Sequence, residues 1–307
     1  MLNFKEFTNE VVKMLEEKTG KTIITKNVIK NNGEERMGVA LESQNGATPV
    51  VYIKEFYEDY KDGSSLDIVL DEFYETFKHG VEQSEQIGAT MESLKNVDYV
   101  KANVLAKVVS LKDNSYLTDK IFTADDDLGI AYIYYIDVSV GDSGRGSCVF
   151  NDEMLDTLNI SKEELHKIAL ENTEKYEGAV LLNMSSVIAR MIGMDDKETN
   201  LLKNKNQNVE GEKMFILTNE ERTNGAITMF YKNVIRDVAD RLNKDIFIIP
   251  SSIHEVIIVP KEDELDDRDR LTNMLRDVNG SGSVDDNEVL SNDVFEYTRA
   301  DDVLKIA

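Results

Sequence analysis

A chain of 307 residues with 41% apolar side chains is long enough for one large packed domain or two ordinary ones, and too apolar to be disordered. Its 35 basic and 59 acidic residues leave a net charge of −24, which repels nucleic-acid backbones and anionic lipid and argues against direct binding to either. No run approaches the roughly 20 apolar residues of a membrane span, and a single cysteine, Cys148, leaves no internal disulfide.

The opening Met1-Leu2-Asn3-Phe4-Lys5-Glu6 lacks the basic, apolar and small-residue parts of a secretory signal, so the expected compartment is the cytoplasm. Asn3 and Glu6 form a capping-box pair. Phe4, Phe7, Val11, Met14 and Leu15 then recur at helical spacing, and Gly20 ends the helix. Strands are expected at 22–29 and 36–42, around the hairpin turn Asn31-Asn32-Gly33, and again at 49–54. A second helix begins near Ser64, buries Leu66, Val69, Leu70, Phe73 and Phe77, and places His79 in its last turn.

The middle of the chain is rich in strand, with candidates at 102–111, 128–140 and 146–150. The near-continuous apolar run through Ile130, Tyr132, Tyr134 and Ile136 reads as a strand covered on both faces. Gly141-Asp142-Ser143-Gly144-Arg145-Gly146 lies between strands, so it reads as a hairpin loop and not as a phosphate cradle. Ser161 and Glu164 cap another helix, stapled by Ile160 and Leu165, with His166 on its charged, solvated surface. Residues 195–213, rich in Asn and Lys, form a polar loop. Strands at 214–218, 245–249, 255–259 and 294–298 follow, with helices at 233–242 and 266–276. The acidic run 262–267 suits the N-terminus of the latter helix. The mixture, without steady β-α-β alternation, defines an α+β fold of mixed, largely antiparallel sheets with helices packed on them. The expected division is an N-terminal α-β-β-β-α domain of residues 1–95 and a C-terminal α+β domain of residues 96–307.

Two segments carry candidate chemistry. Ser251, Ser252, His254 and Glu255 set two hydroxyls, an imidazole and a carboxylate between apolar strands, the residue types of a hydrolase. Such an enzyme needs His254 exposed and bonded to a carboxylate, and no nucleophile-elbow motif accompanies the segment. Asp277, Asn279, Ser281, Ser283, Asp285 and Glu288 fall at positions one, three, five, seven, nine and twelve of a calcium loop, with Gly282 at the sharp turn. Against calcium stand the lack of a second loop and of an exiting helix after Glu288. No dinucleotide or P-loop glycine motif is present, nor a Cys or His cluster for zinc, and no cofactor is required.

The stretches Phe215-Ile216-Leu217-Thr218-Asn219, Asn224-Gly225-Ala226 and Ile248-Ile249-Pro250-Ser251-Ser252-Ile253-His254-Glu255-Val256-Ile257 resemble a family of bacterial proteins, domain-of-unknown-function family 5688. Tyr52-Ile53-Lys54-Glu55-Phe56-Tyr57, Asp62-Gly63-Ser64-Ser65-Leu66 and Glu288-Val289-Leu290-Ser291 extend the likeness over nearly the whole chain. The resemblance implies a cytosolic bacterial protein and carries no activity with it. Three functional readings remain open. The first is a non-enzymatic module that binds a protein partner, a basic one being favoured by charge. The second is an acidic decoy imitating nucleic acid to occupy a DNA- or RNA-binding protein. The third is a hydrolase-like enzyme using the Ser251–Glu255 segment.

Overall fold

The structure, a computed structural model, describes residues 1–42, 50–114, 117, 120–139, 145–194, 197–204, 206, 209, 211–262 and 268–307; the side chains of 83–91, 139 and 145 are not described. The glycine-rich turn at 141–144, the acidic stretch 263–267 and parts of the polar loop at 195–213 therefore lie outside the described residues. The chain divides into two compact units, one of residues 1–99 with 137–147, the other of residues 100–136 with 148–307.

The first unit opens with α1 (Phe4–Thr19), closed at both ends by its own sequence. Asn3 and Glu6 complete the reciprocal capping box, and Gly20 leaves the helix in the left-handed region at φ 65°. Strands β1 (Ile23–Ile29) and β2 (Glu35–Leu41) pair antiparallel through the Asn31–Gly33 turn, and β3 (Val51–Tyr52) adds to β2. A short helix, α2 (Lys54–Lys61), then precedes α3 (Leu66–Ser93). Phe7, Val11 and Leu15 of α1 pack with Ile23, Val39 and Ile53 against Val69, Phe73 and Phe77 of α3. Because α3 continues to Ser93, His79 lies inside the helix and not at its C-terminal end, where the sequence placed it.

Next come α4 (Val97–Asn103), β4 (Leu105–Ser110), β5 (Phe122–Asp125), β6 (Ile130–Ser139) and β7 (Arg145–Val149). They form a four-stranded sheet in which β6 pairs antiparallel with β4 and β5, and β7 also pairs with β6. Residues 130–136 of β6 are all buried, as a strand covered on both faces requires. Helix α5 (Asp152–Leu158), capped by Asn151, leads to α6 (Lys162–Glu177), whose N-cap Ser161 accepts from the Glu164 N–H. His166 on α6 is not solvated on a charged surface. It is half-buried, its Nδ1 2.8 Å from the Tyr134 hydroxyl, which in turn lies 2.5 Å from Thr123 Oγ1.

The remaining strands make a six-stranded antiparallel sheet in the order β13-β12-β10-β11-β9-β8. They are β8 (Ala179–Asn183), β9 (Phe215–Asn219), β10 (Ile246–Ile249), β11 (Val256–Pro260), β12 (Phe295–Thr298) and β13 (Val303–Ile306). Helix α7 (Met184–Met191) follows β8, α8 (Val234–Leu242) precedes β10, and α9 (Arg268–Gly280) precedes β12. The α+β architecture with antiparallel sheets is thus the expected one. Among the described residues no helix is long and apolar enough to cross a membrane.

Removal from water, with a smaller contribution from the nearby Lys162 charge, lowers the His166 pKa below its ordinary 6.5. Above that value the ring is neutral folded and unfolded, and the shift has no effect. Below it the unfolded ring takes a proton that the folded ring resists, so stability falls as pH drops. Urea midpoints measured from pH 7.5 to pH 5 are expected to fall less steeply in His166→Gln than in the parent chain.

Candidate functional site

Both faces of the six-stranded sheet are apolar and largely buried. On one face Leu181, Phe215, Leu217, Ile246, Ile248, Val256 and Ile258 are all fully buried. On the other, the register aligns Leu182, Ile216, Ile257 and Ile249 in one row across β8, β9, β11 and β10. Leu271 and Leu275 of α9 pack with Ile249 at one end of that row, and α7 lies against β8 at the other. Beside α7 opens a cleft of about 770 Å³. Leu182, Ile216 and Ile257 form its floor, Met184, Val187, Ile188 and Met191 its α7 wall, and Thr218, Arg222 and Glu255 its polar end.

Helix α7 is the unusual element. An apolar helix in a finished layer buries one stripe of side chains, yet no residue of α7 is buried. Ile188 is 50% exposed and Met191 81%, and the apolar surface continues past the helix through Ile192 at 70% and Met194 at 60%. At the polar end Arg190 and Arg222 both bond Glu198, whose side chain is only 7% exposed. Beside the cleft, the outer edge of β8 is closed by neighbouring chain. The Leu201 N–H donates to the Leu181 carbonyl at 2.8 Å. Asn200 accepts from the Leu181 N–H at 3.3 Å and donates to the Ala179 carbonyl at 3.0 Å.

Behind the polar end the segments singled out in the sequence converge. Gly225 approaches the end of β9 and the His254 backbone so closely that a Cβ there would sit 2.2 Å from Thr218 Oγ1 and 2.5 Å from the His254 carbonyl oxygen. The Thr218 hydroxyl donates to that same carbonyl at 2.8 Å, and the Ala226 N–H donates to the Ile253 carbonyl at 3.1 Å. The imidazole is held at both nitrogens. Nδ1 accepts from the Asn224 N–H at 3.1 Å, which leaves the proton on Nε2, 3.3 Å from Glu288 Oε1.

The hydrolase reading anticipated a carboxylate beside a partly exposed His254, and Glu288 supplies it, with 29% of the histidine side chain exposed. The remaining hydrolase residues are arranged differently. Ser252 Oγ accepts from the His254 backbone N–H at 3.0 Å, a turn-stabilising bond. Ser251 is buried. Glu255 lines the cleft, and the carboxylate paired with the imidazole is that of Glu288. With Nδ1 bonded to backbone and Nε2 protonated, the ring offers no lone pair to accept a serine proton.

The calcium-loop residues are likewise dispersed. Gly282 does take the positive φ of 75° that a sharp turn needs. Asp277 and Asn279, however, lie within α9, and the buried Asn279 amide donates to the Ser291 carbonyl and to Asn292 Oδ1, both at 3.0 Å. The Ser281 and Ser283 hydroxyls bond each other, and Glu288 is turned to His254. A bridge between Val289 and Ser252 stands where an exiting helix would begin. Among the described residues no group of three or more His, Cys, Asp and Glu side chains is placed to hold a metal ion. Cys148 is half-buried, and burial pushes its thiol pKa up, away from the reactive thiolate.

The molecule is therefore an α+β protein with an open cleft on an antiparallel sheet, backed by a fixed histidine turn. The chain belongs to DUF5688, a family of unknown function, whose model matches residues 4–299. No curated protein and no solved structure matches it. The segments that carry the family resemblance supply Ile216, Thr218, Glu255 and Ile257 to the cleft and Asn224, Gly225 and His254 to its backing.

Two substitutions test this construction. Gly225→Ala is expected to cost about 3 kcal/mol in urea denaturation, because behind the Thr218 hydroxyl two backbone atoms, the His254 carbonyl oxygen and the Asn219 nitrogen, also stand in the way. His254→Ala strips the Asn224 N–H of its acceptor and is expected to cost about 1–3 kcal/mol. In the parent chain, nitrogen NMR of His254 above neutral pH is expected to show the Nε2–H tautomer.

Proposed function

We propose that this is a non-enzymatic, cytoplasmic protein-interaction module that seats an apolar segment of a partner in the cleft between α7 and the β8–β9–β11 face. The observation that carries this reading is the helix without a buried residue, four of whose side chains (Met184, Val187, Ile188 and Met191) line an open apolar groove. An uncovered patch of this kind on a folded chain marks an interaction surface, and each aliphatic side chain fully covered by a partner gains about 1.5–3 kcal/mol. The chemistry of the site supports binding over turnover, since its one positioned imidazole is saturated by the Asn224 N–H and Glu288.

The test compares the parent chain with Ile188→Gln/Met191→Gln, which removes apolar surface without changing charge. Both residues are exposed, so the thermal midpoint is expected to hold within a few degrees. Proteins captured from native lysate by the parent chain are identified, purified and titrated against both forms. A partner bound at least tenfold more weakly by the double variant, a loss of about 1.4 kcal/mol, supports the cleft. A partner bound equally by both forms, or purified protein that turns over a substrate, overturns the reading.

A further inference from the structure

Resting on that reading, we propose that Met191 and Met194 form a reversible methionine-oxidation site, at which a peroxide converts the apolar rim of the cleft into a polar one.

Three observations support this site. The first is access. The chain has 11 methionines. Among the described residues only Met191, Met194 and Met1 at the start of the chain are exposed. Met229 is buried, Met14, Met37, Met214 and Met274 pack against apolar cores, and Met154 and Met184 are half-buried. The second is order. The Ile192, Gly193 and Met194 N–H groups donate to the Ile188, Arg190 and Ala189 carbonyls at 3.2, 3.0 and 2.9 Å. The backbone carrying both thioethers is thus tied to the end of α7, beside the exposed Ile188 and Ile192. The third is the competing sulfur. Cys148 is half-buried and burial raises its thiol pKa, so it offers peroxide little of the thiolate that would react first.

The step is an oxygen transfer from hydrogen peroxide. A sulfur lone pair takes one peroxide oxygen, the O–O bond breaks and an S=O bond forms. The thioether is oxidised by two electrons, and the peroxide is reduced to water. The sulfoxide is polar and accepts hydrogen bonds, so an apolar segment laid over it would leave its oxygen buried without a donor. Oxidation of a core methionine disrupts packing, but neither of these side chains is buried. The change therefore removes apolar contact surface and leaves the fold intact. Methionine sulfoxide reductases reverse it.

The experiment treats the purified full chain with graded hydrogen peroxide. Peptide mass spectrometry follows each methionine, and retention of the intact protein is measured on a hydrophobic-interaction column. Met191 and Met194 are expected to oxidise about fivefold faster than the half-buried and buried methionines. Retention is expected to fall as they oxidise, while the thermal midpoint holds within a few degrees. Treatment with the two methionine sulfoxide reductases, one for each sulfoxide epimer, is expected to restore it. Met191→Leu/Met194→Leu keeps the apolar bulk without the sulfur, and its retention is expected not to respond to peroxide. Even oxidation across the methionines, earlier oxidation of Cys148, unchanged retention or unfolding would each overturn the proposal. An equal loss of retention in the leucine variant would overturn it as well. A lysate partner indifferent to Ile188→Gln/Met191→Gln would sink the docking reading and leave the sulfur results standing. A cleft-dependent partner held equally well by the oxidised chain would sink this proposal alone.

Discussion

The C-terminal half of the molecule depends on a side chain that is not there. Gly225 lets the chain after β9 lie directly on the backbone of His254, closer than any Cβ would permit. That approach brings Asn224 within reach of the imidazole and Ala226 within reach of the Ile253 carbonyl, and it leaves Thr218 to hold the His254 carbonyl from β9. The turn between β10 and β11 is thereby locked to the end of β9. Those strands carry the aliphatic row that becomes the cleft floor, so the groove inherits its geometry from one backbone contact.

The His254 turn also shows how a suggestive set of residues is used structurally. Hydroxyl, imidazole and carboxylate all occur in the segment, and a carboxylate does meet the ring. Yet the ring accepts a backbone N–H, and the serine hydroxyl is spent on the histidine's own amide. The imidazole and the Ser252 hydroxyl each have a partner, which is what a rigid turn under partial burial needs. The buried carboxylate Glu177 follows the same rule, accepting from the Asn219 amide at 2.7 Å and from Tyr135 at 3.4 Å.

What could be read from the sequence was whatever is local. The Asn3–Glu6 cap, the Asn31–Gly33 turn, the Ser161 cap and the apolar runs that became β10 and β11 depend on neighbours a few residues apart. Helix α7 has no start signal in the sequence, because no glycine or proline separates it from β8. Asn183 is both the last residue of the strand and the first flank of the helix. His79-Gly80 looks like a helix stop in the sequence, although α3 runs on to Ser93. The most specific stretch, Pro250 to Glu255, was legible as a motif but not as a role. Its meaning lies in Asn224, Gly225 and Glu288, which reach it from elsewhere in the chain. The calcium-like spacing is silent on its surroundings for the same reason, since its twelfth-position glutamate pairs with a histidine that a linear pattern does not include.

Asn200 has a consequence for solubility. The end strand of an antiparallel sheet is a template on which another copy of the same chain can extend the ladder, and proteins usually blunt it with charge, proline or a bulge. Here β8 has none of these and is instead met by one amide side chain that presents an acceptor and a donor in the spacing of a backbone. With the Leu201 N–H on the Leu181 carbonyl, Asn200 takes the place of a further strand along Ala179–Leu181. This closes the ladder beside the cleft, so that an open groove can coexist with a sheet that does not grow from that edge.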